Sequence, residues 1–166
     1  RKRQMGIRER TTSPYGWAVE EVTQKTKGKD NGANVAAAIR ASTARAVCDG
    51  SYKDGHGTAG FCIHGDDPIL QVEGCNRTPG NTADQSAYRS ELGGVVGTLL
   101  ILKSLCSLHN IQEGAVELGL DCESAIKKII AHYPPKVKDC HHDMINECRR
   151  LIKDLPIQVN LRWIES

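Results

Sequence analysis

A chain of 166 residues, 39% hydrophobic and 25% charged, is long enough to bury one core and suits a single domain. Its formal charge of +2 neither demands nor excludes a nucleic-acid partner, so any electrostatic attraction must be local. No apolar run approaches the roughly 20 residues of a membrane span, so no membrane partner is expected. No secretory signal opens the chain. The seven cysteines are scattered and form no Cys-x-x-Cys pair, which suits thiols in a reducing compartment and an intracellular, cytoplasmic or nuclear location.

Residues 1–43 read as an irregular N-terminal arm or linker carrying one short helix. Five of the first ten residues are Arg or Lys. Ser13-Pro14-Tyr15-Gly16-Trp17 has the composition of a turn, and Lys25 to Gly32 that of a polar linker. Asn34 is placed to cap an Ala-rich helix from Val35 to Ser42. Arg1 rather than Met opens the chain, and Trp163-Ile164-Glu165-Ser166 closes it directly after an apolar alternation. Such ends read as those of a piece of a longer polypeptide.

Residues 44–166 carry the regular pattern. Arg45 to Ser51, Thr58 to His64 and Ile69 to Glu73 read as three strands of a meander, joined at Asp54-Gly55 and at Gly65-Asp66-Asp67-Pro68. Ala83 to His109 reads as a helix of about 40 Å, apolar almost all round between Leu92 and Leu102. Gly93 and Gly97, four apart on one face, imply a close approach to the sheet. Val116 to Leu120 is a fourth strand ending at Asp121. Helices follow over Cys122–Ala131 and Lys138–Asp154, the second with a Met144, Cys148, Leu151, Leu155 stripe. Ile157, Val159, Leu161 and Trp163 alternate as a fifth strand. Right-handed crossovers then give an α/β fold with a mixed five-stranded sheet, order 3-2-1-4-5, and flanking helices.

That order sets Asp49 and Asp121 on adjacent strands. Asp49 lies inside an apolar strand between small residues, Glu91 precedes the most apolar stretch of the long helix, and Asp121 ends a buried strand. A carboxylate so placed is costly to desolvate without a partner, and three together repel. A divalent cation resolves both conflicts, and oxygen-only ligands favour Mg²⁺ or Mn²⁺ over zinc. The matching chemistry is two-metal hydrolysis of a phosphodiester. Ser51, Arg89, Asn81 and Gln85 flank the acids as candidate substrate contacts. Lys127, Lys128, Lys136, Lys138, Arg149, Arg150 and Lys153 make the second half locally basic. Cys140, His141, His142 and Cys148 match no common zinc spacing. Cys122 has no histidine placed to activate it as a nucleophile.

Cys48-Asp49-Gly50-Ser51-Tyr52, Tyr88-Arg89-Ser90-Glu91-Leu92 and Leu120-Asp121-Cys122-Glu123-Ser124-Ala125 resemble the three acidic motifs of ribonuclease H, in order and in the expected elements. The resemblance covers about residues 44–166. The stretch Gln85-Ser86-Ala87-Tyr88-Arg89-Ser90-Glu91 is most similar to ribonuclease H-like domains of retroelement polyproteins. The resemblance implies Asp49, Glu91 and Asp121 as catalytic metal ligands, two ions, an RNA–DNA hybrid as substrate and a covalently linked reverse transcriptase domain. It also implies a fourth acid on a helix or loop after the fifth strand; the sequence ends at Ser166, before that point, and Glu165 is too early for the role. The rival expectations are a catalytically inactive ribonuclease H-like module that binds nucleic acid or braces its neighbours, and a nuclease or transposase of the same fold that cuts DNA.

Overall fold

The computed structural model describes residues 19–25, 30–136, 138 and 140–166. The elements are β1 (Val19–Lys25), α1 (Ala33–Arg40), β2 (Ala44–Lys53), β3 (His56–His64), β4 (Gln71–Arg77), α2 (Ala87–Leu108), β5 (Ala115–Leu120), α3 (Glu123–Ile130), α4 (His142–Asp154) and β6 (Gln158–Trp163). One sheet runs β1-β4-β3-β2-β5-β6. Its last five strands are the predicted 3-2-1-4-5 arrangement. β2 pairs antiparallel with β3 and parallel with β5, and β5 pairs parallel with β6.

The β2–β3 hairpin turns at Asp54-Gly55, both with positive φ (51° and 81°), as a two-residue turn between right-twisted strands requires. Along β2, Ala44, Ala46 and Cys48 point inward while Arg45, Val47 and Asp49 point outward. This period-two alternation decides the architecture. The inward set joins Phe61, Ile63, Val72, Val116, Leu118 and Leu120 in one core with residues of all four helices. Among the described residues the fold is therefore two layers, helices on one sheet face.

α2 runs across the middle of that face. Its fully buried Leu92, Val95, Leu99 and Leu102 belong to the core. The expected close approach is real: a Cβ on Gly97 would lie 2.5 Å from Asn76 Oδ1. Asn76 Nδ2 donates to the Gly93 carbonyl at 3.0 Å, so the same side chain ties β4 to the helix, while its Oδ1 is buried without a hydrogen-bond partner. By length and composition α2 does pass as a membrane-spanning helix, contrary to the expectation from apolar runs. Here 72% of its most apolar window is buried inside the protein, where a central helix is apolar for the same reason a membrane helix is.

Four further expectations are corrected. Residues 1–43 are not wholly irregular: Val19–Lys25 forms β1, antiparallel to β4, with a register irregularity between Val19 and Glu21. An edge strand needs no strong apolar alternation, which is why Val-Glu-Glu-Val-Thr-Gln-Lys did not read as one. The short helix is present, but Asp30 rather than Asn34 serves its start, its carboxylate accepting from the N–H groups of Gly32 and Asn34 at 3.1 and 3.0 Å. The long helix does not begin at Ala83. A short 3-10 turn, Thr82–Asp84, comes first, and Ser86 caps α2 by accepting from Arg89 N–H at 3.0 Å. α4 starts at His142 rather than Lys138, after the left-handed His141 (φ 61°). The basic start, the Ser13–Trp17 turn and residues 26–29 of the expected linker lie outside the described residues.

Candidate metal centre

The three acids come from three elements. Asp49 projects from the outward row of β2, and Asp121 directly follows β5. The parallel register Val47↔Gly119 carries the two strands side by side up to this point. Glu91 reaches them from the second turn of α2. One ligand oxygen from each of Asp49, Glu91 and Asp121 lies within 4.8 Å of the other two. The structure thus brings together the three acids singled out in the sequence.

Gly50 makes the meeting of helix and strand possible. A Cβ there would fall 2.4 Å from both Glu91 N and Ser90 C, so only glycine lets α2 pass this close. The contact is also a grip: Gly50 N–H donates to Glu91 Oε1 at 3.0 Å. The sequence signal was the small residue beside Asp49; its partner across 41 positions was not visible there.

Glu91 is 9% exposed, whereas Asp49 is exposed and Asp121 half-buried. Burial raises the Glu91 pKa to about 7, the charges of Asp121 and Asp49 add to the rise, and the Gly50 N–H opposes it. Its second oxygen, Oε2, is buried with no hydrogen-bond partner. A buried carboxylate oxygen without a donor, on a side chain that meets two further carboxylates, is what a hard cation would satisfy. The donor set is all oxygen, and the residues present fit Mg²⁺ or Mn²⁺. Cys48 lies inward of this group, its thiol raised to about 12 by burial and then by Glu91, so it stays protonated and offers no anionic sulfur.

The flanking candidates divide. Ser51 is exposed on β2, two residues along the same face from Asp49. Asn81 is exposed at the start of the 3-10 turn, with its backbone N–H donating to Asp84 Oδ2 at 3.1 Å. Gln85 instead braces its own loop, Nε2 donating to the carbonyls of Thr78 and Gly80 at 3.1 and 3.2 Å. Arg89 is 4% exposed. Its Nε donates to Pro79 O at 2.6 Å, and Nη1 and Nη2 form a fork onto the two Asp143 oxygens at 3.0 and 2.8 Å. Of the four candidates for substrate contact, Gln85 and Arg89 thus hold residues 78–80, and Arg89 also the start of α4. Asp143 was missed because its partner lies 54 positions away.

Of the basic residues, Arg149 is turned to a carbonyl clamp: Nη1 donates to Tyr133 O at 2.7 Å and Nε to Lys128 O at 3.2 Å. Arg150 is paired with Glu147 and Asp154. Cys148 sits in the core with its thiol toward the Leu92 carbonyl, while His141 faces Ser86 and Arg89, so these two do not share a site. On the outward face of the sheet, an apolar groove of 530 Å³ floored by Gly60 and bounded by Val47, Cys62 and Ile164 runs up to Asp49 and Asp121.

No protein-family model matches the chain, and no curated protein matches it. Solved structures do. Ribonuclease H1 from the halophilic archaeon Halobacterium salinarum NRC-1 aligns over 74% of this chain and 86% of its own, at 13% identity and a TM-score of 0.57. LC11-RNase H1, in a structure with an RNA/DNA hybrid, aligns over the same shares at 13% identity and a TM-score of 0.59. LC9-RNase H1, described as a type 1 enzyme with the type 2 active-site motif, aligns over 74% of this chain and 63% of its own at 13% identity and a TM-score of 0.54. The fold is ribonuclease H-like.

Proposed function

We propose that this domain is a metal-dependent endonuclease that hydrolyses the RNA strand of RNA–DNA hybrids. The observation that carries the reading is the convergence of Asp49, Glu91 and Asp121 within 4.8 Å on a ribonuclease H-like fold. Asp49, Glu91 and Asp121 would hold the ions, Mg²⁺ or Mn²⁺, two when the site is complete. Bound there, divalent ions supply an activated water and the charge that steadies the leaving oxygen.

The chain's own contribution is placement. Gly50 N–H fixes one oxygen of Glu91 and leaves the other unbonded. Asp49, the exposed member, opens the group to a backbone lying across the middle of β2 and the end of β5. Ser51 and Asn81 are the exposed polar candidates for the 2′-hydroxyls by which RNA is told from DNA. The wording of residues 85–91 supports a setting within a retroelement polyprotein beside a reverse transcriptase domain. The buried thiols of Cys48, Cys106 and Cys148 suit a reducing, intracellular location.

The test is cleavage of an end-labelled RNA–DNA hybrid, with duplex DNA as the competitor substrate. Hybrid cutting that needs Mg²⁺ or Mn²⁺ and disappears in Asp49→Asn is the expected result. Equal cutting of duplex DNA would point to a DNA nuclease, and no metal-dependent cutting at all would remove the enzymatic reading.

A further inference from the structure

His141 lies outside the acidic centre, at the meeting point of α2, α4 and the 3-10 turn. It is the residue before α4 and is held in the left-handed region at φ 61°. Its Nδ1 is 3.2 Å from Arg89 Nη1, and its Nε2 is 3.1 Å from Ser86 Oγ. The ring centroid is 5.8 Å from that of Tyr88.

The chemistry of the partners fixes the tautomer. A guanidinium donates and never accepts. Arg89 Nη1 is therefore the donor, and His141 Nδ1 must be the bare nitrogen that receives it. The single proton of the neutral ring then sits on Nε2 and is donated to Ser86 Oγ. That same hydroxyl oxygen caps α2 by accepting from Arg89 N–H. In this one protonation state, His141 ties the first turn of α4 to the first turn of α2.

We propose that this junction is a proton-operated latch. A proton taken up at Nδ1 turns the acceptor into a donor, breaks the bond from Arg89 and sets two cations against each other, which loosens the first turn of α4 on α2 and leaves the Arg89 fork onto Asp143 as its remaining tie. Arg89 also holds Pro79 O and stands two residues before Glu91, so the loosening reaches the 78–80 loop and the helix that presents Glu91.

The groups facing the ring are Arg89 and Tyr88 from α2, Asp84 from the 3-10 turn and Asp143 from α4. Burial and then the Arg89 charge push the imidazole below its ordinary 6.5, against the pull of Asp143 and Asp84. Both Asp143 oxygens already accept from the Arg89 guanidinium, which limits what that carboxylate offers the ring. The folded protein thus resists a proton that the unfolded chain accepts. The latch contributes fully above pH 6.5 and loses strength as pH falls from there toward the folded value. This holds whether or not the domain is a nuclease, because every readout below is structural.

The experiment is an imidazole ¹⁵N NMR titration of the whole chain between about pH 8 and 5, with amide exchange followed at residues 142–145. A bare Nδ1 and protonated Nε2 at high pH, a His141 midpoint below 6.5, and a drop in protection, with exchange taken relative to the intrinsic rate at each pH, as His141 titrates are expected. His141→Asn tolerates the left-handed backbone and cannot titrate, so the exchange step should vanish in it. Subtracting its pH profile from that of the parent also cancels the titration of Glu91. A proton on Nδ1 at high pH, a midpoint at or above 6.5, or an unchanged exchange step in His141→Asn would overturn the proposal.

Discussion

The backbone N–H of Gly50 donates to Glu91 Oε1 at 3.0 Å, and the same glycine leaves no room for a side chain because Glu91 N would stand 2.4 Å from its Cβ. Strand and helix are locked together at the residue next to Asp49. Gly50→Ala should push α2 off the strand at a cost of about 1–3 kcal/mol, the usual range for overpacking a filled site. The loss should be larger for Mn²⁺ binding than for the fold, since the same shift moves Glu91 away from Asp49. Urea denaturation and Mn²⁺ calorimetry on one preparation separate the two effects.

Glu91, with a pKa of about 7, gives the metal-free protein an unusual pH response. The folded state holds a proton on Glu91 that the unfolded chain releases near 4.5. Its contribution to stability is therefore full below that value and is lost as pH rises to about 7. Denaturation of metal-free protein at about pH 5 and pH 8 should show lower stability at the higher pH, once the opposite contribution of His141 is removed in a His141→Asn background. Glu91→Gln in that background should flatten the difference.

Metal reverses the penalty. Divalent binding requires the ionised carboxylates, so affinity should climb with pH up to about 7 and level off above it. At a concentration a hundred times its Kd, Mn²⁺ should stabilise the fold by about 2.7 kcal/mol, visible as a rise in Tm that chelator abolishes. Asp49→Asn and Asp121→Asn should each remove most of that rise.

Arg89 and Asp143 form a fork, with the Arg89 side chain 5% exposed and that of Asp143 39% exposed. Removing one partner of a fully buried pair costs about 3–5 kcal/mol. Asp143 keeps solvent on one side, so Asp143→Ala should cost less, about 2 kcal/mol. The Pro79 carbonyl then remains as a partner of the stranded guanidinium. Chemical denaturation measures the loss, and the double variant Arg89→Met with Asp143→Ala should recover part of it.

The sequence revealed those features whose cause is local. Alternation through Ala44, Ala46 and Cys48 is a one-strand signal, and Asp54-Gly55 is a two-residue signal, so the hairpin and its inward face were legible. The acids Asp49, Glu91 and Asp121 were legible because each is an anomaly in its own apolar surroundings. Arg89 and Gln85 show the limit. Their proximity to Glu91 in the chain suggested substrate contact, yet what they do is decided by Asp143 and by the carbonyls of residues 78–80, which no local pattern announces. The start of α2 was misplaced for a similar reason: Ala83 in the 3-10 turn and Gln85 just after it, both good helix formers, precede the Ser86 cap and read as part of the helix. β1 was missed because pairing with β4, rather than any apolar stripe of its own, makes it a strand.

That pairing has a bearing on how the domain is handled. A piece beginning at residue 30 would strip β4 of its antiparallel neighbour and bare the N–H and C=O groups along Gln71–Asn76. Such a rim is a template for any passing strand. The shortened chain should form concentration-dependent oligomers by light scattering, and the seven residues from Val19 to Lys25 would then count as its solubility guard rather than as a tail.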